Sequence, residues 1–526
     1  MSTFHGLEMA KQTLFAQQSA LYTTGHNIAN ANTKGYTRQR VNFGTMRPYP
    51  VPAVNRPEIP GQLGTGVEVS SIQRIRNKFL DAQFRSENSR MNHWETTSHS
   101  LSRMERLLNE PSDSGLSKTM DLFWESLNDL AVHPDKPGAR SVVAERAKSV
   151  TDTFNHLAKS LEDIQNDLRA EIGSGEDKIN SLLRQINRIN EQVKTIEPHG
   201  YLANDLYDDR DRLIDELSEL ININVEYHRS EGGALDIADG IVSIELVDQR
   251  GQSFEDPIML LEEDVNYADD YTFIDIQPDQ GEGAIETIVF HPDSDADAID
   301  AYHLIEQTQG SLISLISSFG YQAEDDSVYG DYPEMIDKLD QLAFTFTQTF
   351  NEIHQEGYDL NRESGRNFFE ELTELEGAAK NVTVLQEIID DPSFIAAGYL
   401  ESGSEEDRYA GNGDNALRLA DMFDAPIPNE DDTDVGLDNR SPREYLQSMI
   451  STLGIHAQEA NRMKDNTTIL RSQVDEQRMS VSAVSLDEEM SNMIKFQHAY
   501  NAAARNMTVI DEMIDRIING MGLVGR

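Results

Sequence analysis

Large apolar residues recur at every seventh position at both ends of this chain, and nothing else in the sequence constrains the fold as strongly. Leu7, Leu14, Leu21 and Ile28 keep the interval near the start; Leu486, Met493, Tyr500, Met507, Ile514 and Met521 keep it near the end. A sevenfold apolar period marks a helix that buries one narrow seam against other helices. A stripe this narrow gains less free energy than the ordering of its helix removes in chain entropy. Both extremities are therefore expected to be unfolded alone and to fold when packed together among further copies of the chain. An ordinary helix pair within one chain is the other arrangement the pattern allows.

At 526 residues, several domains are expected rather than one core. The chain carries 93 acidic and 44 basic residues, a formal charge of −49, which argues against nucleic acid or an anionic membrane as partner. Cysteine is absent, which removes disulfides and thiolate metal sites. The opening residues lack a basic region followed by an apolar one, and no apolar run is long enough to span a bilayer. If the protein leaves the cell, it needs another export route.

The first seam ends in a turn signalled by Asn30, Asn32 and Gly35. Residues 39–76 hold Pro48, Pro50, Pro52, Pro57 and Pro60 with Gly61, Gly64 and Gly66, and read as an extended, partly β connector. Helix is predicted from about residue 77. Over 139–197, Val143, Ala147, Val150, Phe154, Leu157, Leu161, Ile164, Leu168 and Ile172 follow one another at spacings of four and three. Ile179, Leu182, Ile186, Ile189, Val193 and Ile196 continue the register. The spacing predicts one helix about 90 Å long, bent at Gly173 and Gly175 and stopped by Pro198. Further helices are expected at 203–220 and 442–480. Short strands are expected at 221–227, 234–237, 241–246 and 271–276. Residues 251–337 contain no Lys or Arg, so this part is expected to face solvent. Residues 401–441 read as loops.

No catalytic constellation is visible. Asp293, Asp295 and Asp297 resemble the start of a calcium loop, but Ala298 and Leu304 stand where glycine and glutamate are required. Gly411 and Gly413 read as a turn, and His93 and His99 have no recognisable ligand partners. Glu488 and Glu489 suit the first turn of a helix, where the dipole favours acids. Neither an enzyme activity, a cofactor nor a metal is expected.

The end segments resemble the bacterial flagellar axial proteins of rod, hook and hook–filament junction. The runs that carry this are LYTTGHNIANANTKGY at 21–36, VSLDEEM at 484–490, QHAY at 497–500 and DEM at 511–513. The interior narrows it. YTRQ at 36–39, FNEIH at 350–354, GYDL at 357–360, Gly365 with Phe368 and Phe369, DPS at 391–393 with Ala396 and Ala397, and GDNA at 413–416 are similar to the first hook-associated protein family. Residues 222–333 match no motif. Lys34 and Ala483 depart from the family's common proline and glycine, which touches local turn geometry only. A rod or hook subunit would share the terminal runs but lack those at 357–360 and 391–397. Flagellin would lack the 30–36 pattern. A displayed enzyme or adhesin would need a site within 222–333.

The resemblance implies an α+β multidomain protein. Its parts are a terminal coiled-coil domain of the inner tube (1–38 and 483–526), the connector 39–76 and a long antiparallel helical bundle (77–221, 334–357 and 442–482). An acidic β-rich outer domain (222–333) and a mixed, loop-rich segment (358–441) complete it. It implies a structural subunit joining hook to filament on the extracellular flagellum, secreted by the type III route. The implied partners are copies of itself in a ring, hook protein, the second junction protein and an export chaperone, with no nucleic acid and no membrane insertion. Leu7, Leu14, Leu21, Ile28, Leu486, Met493, Tyr500, Met507 and Ile514 are the expected assembly seam.

Overall fold

The four-and-three spacing that starts at Val143 becomes one helix of 60 residues, Pro137–Ile196, in a computed structural model of the chain. Gly173 and Gly175 do not interrupt it. At Gly175 a Cβ would stand 3.1 Å from Leu312 Cδ1, so the missing side chain makes room for a packed leucine. The structure describes residues 3–50, 53–54, 61–108, 115–262, 272–278, 283–290, 297–323, 327–401, 408–429 and 436–520. Met521, Pro52, Pro57, Pro60 and positions 293–296 of the calcium-like run lie outside the described residues.

In chain order the helices are α1 (Thr3–Ala29), α2 (Lys78–Leu108), α3 (Leu116–Val132), α4 (Pro137–Ile196), α5 (Asn204–Leu220), α6 (Ala301–Gln307), α7 (Ser311–Phe319), α8 (Asp331–Glu356), α9 (Ala378–Asn381), α10 (Gln386–Asp390), α11 (Asp414–Asp421), α12 (Pro442–Ser482) and α13 (Leu486–Gly520). The strands are β1 (Gln39–Thr45), β2 (Val67–Arg74), β3 (Ile223–His228), β4 (Ile241–Val247), β5 (Ser253–Leu261), β6 (Ile274–Pro278), β7 (Ile285–Phe290), β8 (Asp297–Asp300), β9 (Tyr321–Gln322) and β10 (Val328–Tyr329). The α+β multidomain architecture expected from the sequence is present. Two expectations are corrected. Residues 234–237 form no strand: they follow Gly232 and Gly233, and the Ala238 N–H closes a turn onto Leu235 O. Within the expected loops of 401–441, α11 forms and buries Ala416, Leu419 and Ala420.

Two compact units divide the chain, the first from Met1–Ser89, Ile179–Phe273 and Thr468–Arg526, the second from Arg90–Lys178 and Ile274–Thr467. Residues 222–333, expected as one outer domain, contribute to both. In the first unit β3, β4 and β5 form an antiparallel sheet, with β3 and β4 paired from Ile223↔Leu246 to His228↔Ile241. β1 and β2 form a separate hairpin with a bulge at Asn42/Phe43.

The second unit is centred on phenylalanines. Phe123 of α3, Phe346 and Phe350 of α8, Phe368, Phe369 and Phe423 are all buried, with ring centroids 4.9–6.2 Å apart. Their offset and edge-on arrangements favour each ring's quadrupole. His354 closes this cluster. Its Nε2 accepts the Ala396 N–H at 2.8 Å and its Nδ1 reaches Arg366 O at 2.5 Å, which requires the neutral ring protonated on Nδ1. Burial first, then the nearby Arg140 and Arg366 guanidiniums, push His354 down to about 4. Between the unfolded value of about 6.5 and that value only the unfolded chain takes the proton, so stability falls as pH falls through this window. Burial raises the carboxyls of Asp331, Asp337 and Asp340 and acts in the opposite sense. The histidine is therefore isolated by comparison. From pH 6.5 to 4, the native chain should lose about 3 kcal/mol more than His354→Gln in urea unfolding of the second unit. Equal losses would show that the ring takes up its proton without breaking the Ala396 bond.

Candidate assembly site

The two heptad segments fold as α1 and α13 and lie antiparallel. Gly6 faces Ile510, where an added Cβ would stand 3.3 Å from Cδ1, and Asn27 Nδ2 donates to Glu489 Oε2 at 3.1 Å. Twenty-one residues separate Gly6 from Asn27 and the same number separate Glu489 from Ile510, so one register holds along the pair. Ala10, Ala20 and Ala503 are among the buried positions of the two helices, and small side chains there let the two backbones approach. The β1–β2 hairpin lies alongside: Phe43 meets Phe496 edge-on at 6.0 Å, and His5 Nε2 lies 3.3 Å from Gly64 O.

Of the expected seam, Leu7, Leu14, Leu21, Ile28, Met493, Met507 and Ile514 are half-buried. Leu486 and Tyr500 have 47% and 36% of their surface exposed in the single chain. Leu486 opens the first turn of α13, and Tyr500 stands at the rim. A strict seven-residue count follows one row of a repeat that alternates three and four. The second row, Glu489, Phe496, Ala503 and Ile510, is the more enclosed at Glu489 and Ala503. The spacing of those residues was readable from the sequence, but a glutamate and an alanine within it do not announce a seam.

Asn27 joins this pair to the chain that follows it. It is buried, donates from Nδ2 to Gln39 O (2.8 Å) and Glu489, and accepts at Oδ1 from Tyr36 Oη (2.8 Å) and the Gln39 N–H (3.0 Å). All four of its hydrogen-bonding positions are used. Burial, then the carboxylates of Asp205, Asp208 and Glu489, push the Tyr36 phenol upward and keep it a donor. Beside it the Arg38 N–H donates to Ser482 O, and the Arg38 guanidinium pairs with Glu488 at 2.5 Å. The α1 turn and the α12–α13 break are thus fastened to each other. Asn27→Ala should cost about 2–3 kcal/mol, the penalty of stranding several buried polar groups, and should speed amide exchange at Gln39 at least tenfold. Unchanged exchange there would show that Asn27 does not hold the joint.

Beneath the joint lies a buried charge network that the sequence did not reveal. Asp211 of α5 has no exposed side-chain surface. It meets Arg74 at 2.9 Å, Arg76 at 3.2 Å and Arg85 at 3.2 Å. Asp215 takes Arg85 at 2.9 Å and Arg478 at 2.6 Å, and Asp208 takes Arg74 at 2.8 Å and the Thr37 N–H at 3.0 Å. Burial would raise Asp211, but the guanidiniums of Arg76, Arg74, Arg85 and Arg210 outweigh it and hold the carboxyl far below the usual range. At Asp208 the balance tips the other way, and burial leaves the carboxyl raised despite Arg74. Such an arrangement fastens elements; it offers no nucleophile, proton shuttle or open coordination. Among the described residues no group of three or more His, Cys, Asp or Glu side chains is placed to hold a metal ion, and no helix is long and apolar enough to cross a membrane.

Comparison with known proteins shows the family of the chain. The chain is 41% identical to flagellar hook-associated protein 1 of Bacillus subtilis (strain 168), over the full length of both. It belongs to the flagellar hook-associated protein 1 family. Residues 101–369 match the family described as flagellar hook-associated protein FlgK helical domain. Flagellar hook-associated protein 1 of Salmonella typhimurium is 24% identical, covering 97% of this chain and 98% of its own. The fold resembles that of the flagellar hook junction protein FlgK from Burkholderia pseudomallei, with a TM-score of 0.57 at 12% identity, covering 76% of this chain and all of that one. Members of this family are structural components of the flagellum, not enzymes. Residues 7–37 match the flagella basal body rod protein family and 476–520 the flagellar basal body rod FlgEFG protein C-terminal family. Those two stretches contain nearly all of α1 and α13 and, of the joint, Asn27, Tyr36, Ser482, Glu488 and Glu489.

Proposed function

We propose that the chain is a subunit of the junction between hook and filament, assembled into a ring through its paired terminal helices. It leaves the cell largely unfolded by the flagellar type III route, with an export chaperone covering the helices beforehand. Hook protein is its neighbour on one side and the second junction protein on the other. The observation that carries the reading is apolar surface on the side of each terminal helix turned away from its partner. Phe4, Phe15 and Tyr22 of α1 are exposed, Tyr22 to 81%, as are Met490, Ile494, Val509, Met513 and Ile517 of α13. Large apolar patches on a soluble subunit mark contact surfaces, and a tube of sibling helices would cover them. The stretch free of Lys and Arg at 251–337 suits an outward, solvent-facing position.

Electron microscopy of detached flagella carrying a tagged full-length chain tests this. Label in one narrow band where hook meets filament is expected. Label along the hook or within the rod would assign the chain to another axial position and overturn the junction reading.

A further inference from the structure

A cleft of about 380 Å³ opens in the first unit between the turn after α1, the α12–α13 break, α2 and α5. Five of its lining side chains are basic, Lys34, Arg76, Arg212, Arg471 and Arg478, against four acidic ones. Arg76, Arg212 and Arg478 are held in ion pairs with Asp211, Glu216 and Asp215, whereas Lys34 and Arg471 have no carboxylate partner among the described residues. The chain as a whole has 44 basic to 93 acidic residues, so the cleft reverses the balance of the protein around it. Its apolar lining includes Phe84 and the exposed Met479, and Arg471 donates to the neutral Asn88 Oδ1 at 3.4 Å.

The complementary surface lies at the far end of α13. Val509, Met513 and Ile517 follow one another at four-residue spacing and are exposed, with Asp511, Glu512 and Asp515 and the single cation Arg516 exposed around them. That tip cannot reach its own cleft. α13 is continuous from Leu486 to Gly520 and starts two residues after Val484 of the cleft wall, which places Met513 about 40 Å away at ~1.5 Å per residue. We propose that the cleft receives the α13 tip, residues 511–518, of a second copy of the chain. The contact deepens the assembly reading above and rests on it. Acidic side chains of the tip meet Lys34 and Arg471, and Met513 and Ile517 meet Met479. Because two different surfaces meet, the contact is head-to-tail and propagates from copy to copy instead of closing a two-fold dimer. An occupied cleft also braces the joint between the α1 turn and the start of α13.

The absence of cysteine permits a direct test. Full-length Thr33→Cys and Met513→Cys chains, both altered at exposed positions, are produced together in cells lacking the native chain, and isolated flagella are oxidised with diamide. A disulfide between residue 33 of one copy and residue 513 of another is expected, and a chain carrying both substitutions should give a ladder of linked oligomers. In parallel, Arg471→Glu should lower incorporation into flagella at least tenfold, and Asp515→Lys in the same chain should restore most of it. Flagella that contain both cysteine chains without the 33–513 bond, or a charge exchange without rescue, would overturn the contact. Failure of the broader assembly reading is distinguishable, because it would appear as normal filaments from chains whose terminal helices cannot pair.

Discussion

Asp211→Ala should unfold the first unit, with a loss of about 3–5 kcal/mol, the scale on which removal of one partner from a buried ion pair destabilises a protein. The size follows from what is left behind. Arg74, Arg76 and Arg85 point at this carboxylate from the connector and from α2, and each is nearly excluded from water. Without Asp211 each keeps an outer carboxylate, Asp208, Asp81 or Asp215, but the three lose the central charge they share and repel one another across a medium that screens poorly. Asp211→Asn, which keeps the shape and removes the charge, should be almost as damaging, and a cavity alone would not predict that. The exposed pair Arg229–Asp236 is the control: its removal should leave the unfolding midpoint unchanged within error. Two-probe urea unfolding is the measurement, reading each unit separately. The pH dependence has a definite sign. A carboxyl held low in the folded state stabilises fully above the unfolded value of about 3.9 and loses that contribution as pH falls further. Asp211 therefore protects the first unit down to a lower pH than the His354 contribution protects the second. If Asp211→Asn unfolds no earlier than the native chain, the network fixes geometry without contributing stability.

The contrast between this network and the seam explains what could be read in advance. Leu7 to Ile28 and Met493 to Ile514 repeat at a helical period, and periodicity is a local property that survives in one dimension. The 60-residue α4 was legible for the same reason. Asp211 and its arginines come from positions 74, 76, 85 and 211, each of which alone looks like a solvated surface charge. Only the fold makes them neighbours. Asn27 sits in a run that resembles flagellar axial proteins, but the reason for an asparagine there is a set of four hydrogen bonds to residues at 36, 39 and 489. The second unit was hidden differently. Phe368 and Phe369 lie in chain with almost no regular period, and the phenylalanine cluster assembles from four separate segments. The acidic composition of 222–333 suggested one domain, yet composition does not record which side of Phe273 a strand belongs to.

Leu14→Asp and Met507→Asp should each abolish incorporation into the flagellum while leaving the second unit folded. Both side chains are half-buried along the α1–α13 pair. The change removes about 1–2 kcal/mol of apolar burial and places a carboxylate where water is partly excluded. The Gly6–Ile510 register puts Leu14 close to Ala503 and Met507 close to Met9, neither of which can pair with the new acid. Hydrogen exchange should then show α1 and α13 fully exchanging and α8 unchanged. Tyr22→Asp separates pairing within a chain from packing between chains. Tyr22 is 81% exposed, so the isolated protein should keep its α1–α13 protection and its unfolding curve. If the outer face of α1 is covered by sibling helices, Tyr22→Asp should still reduce incorporation, by at least tenfold, because the burial it disrupts exists only in the assembly. Normal filaments from the Leu14→Asp chain would remove the seam from the mechanism. Normal filaments from Tyr22→Asp alone would leave the pair intact and turn the assembly contact to another face of α1.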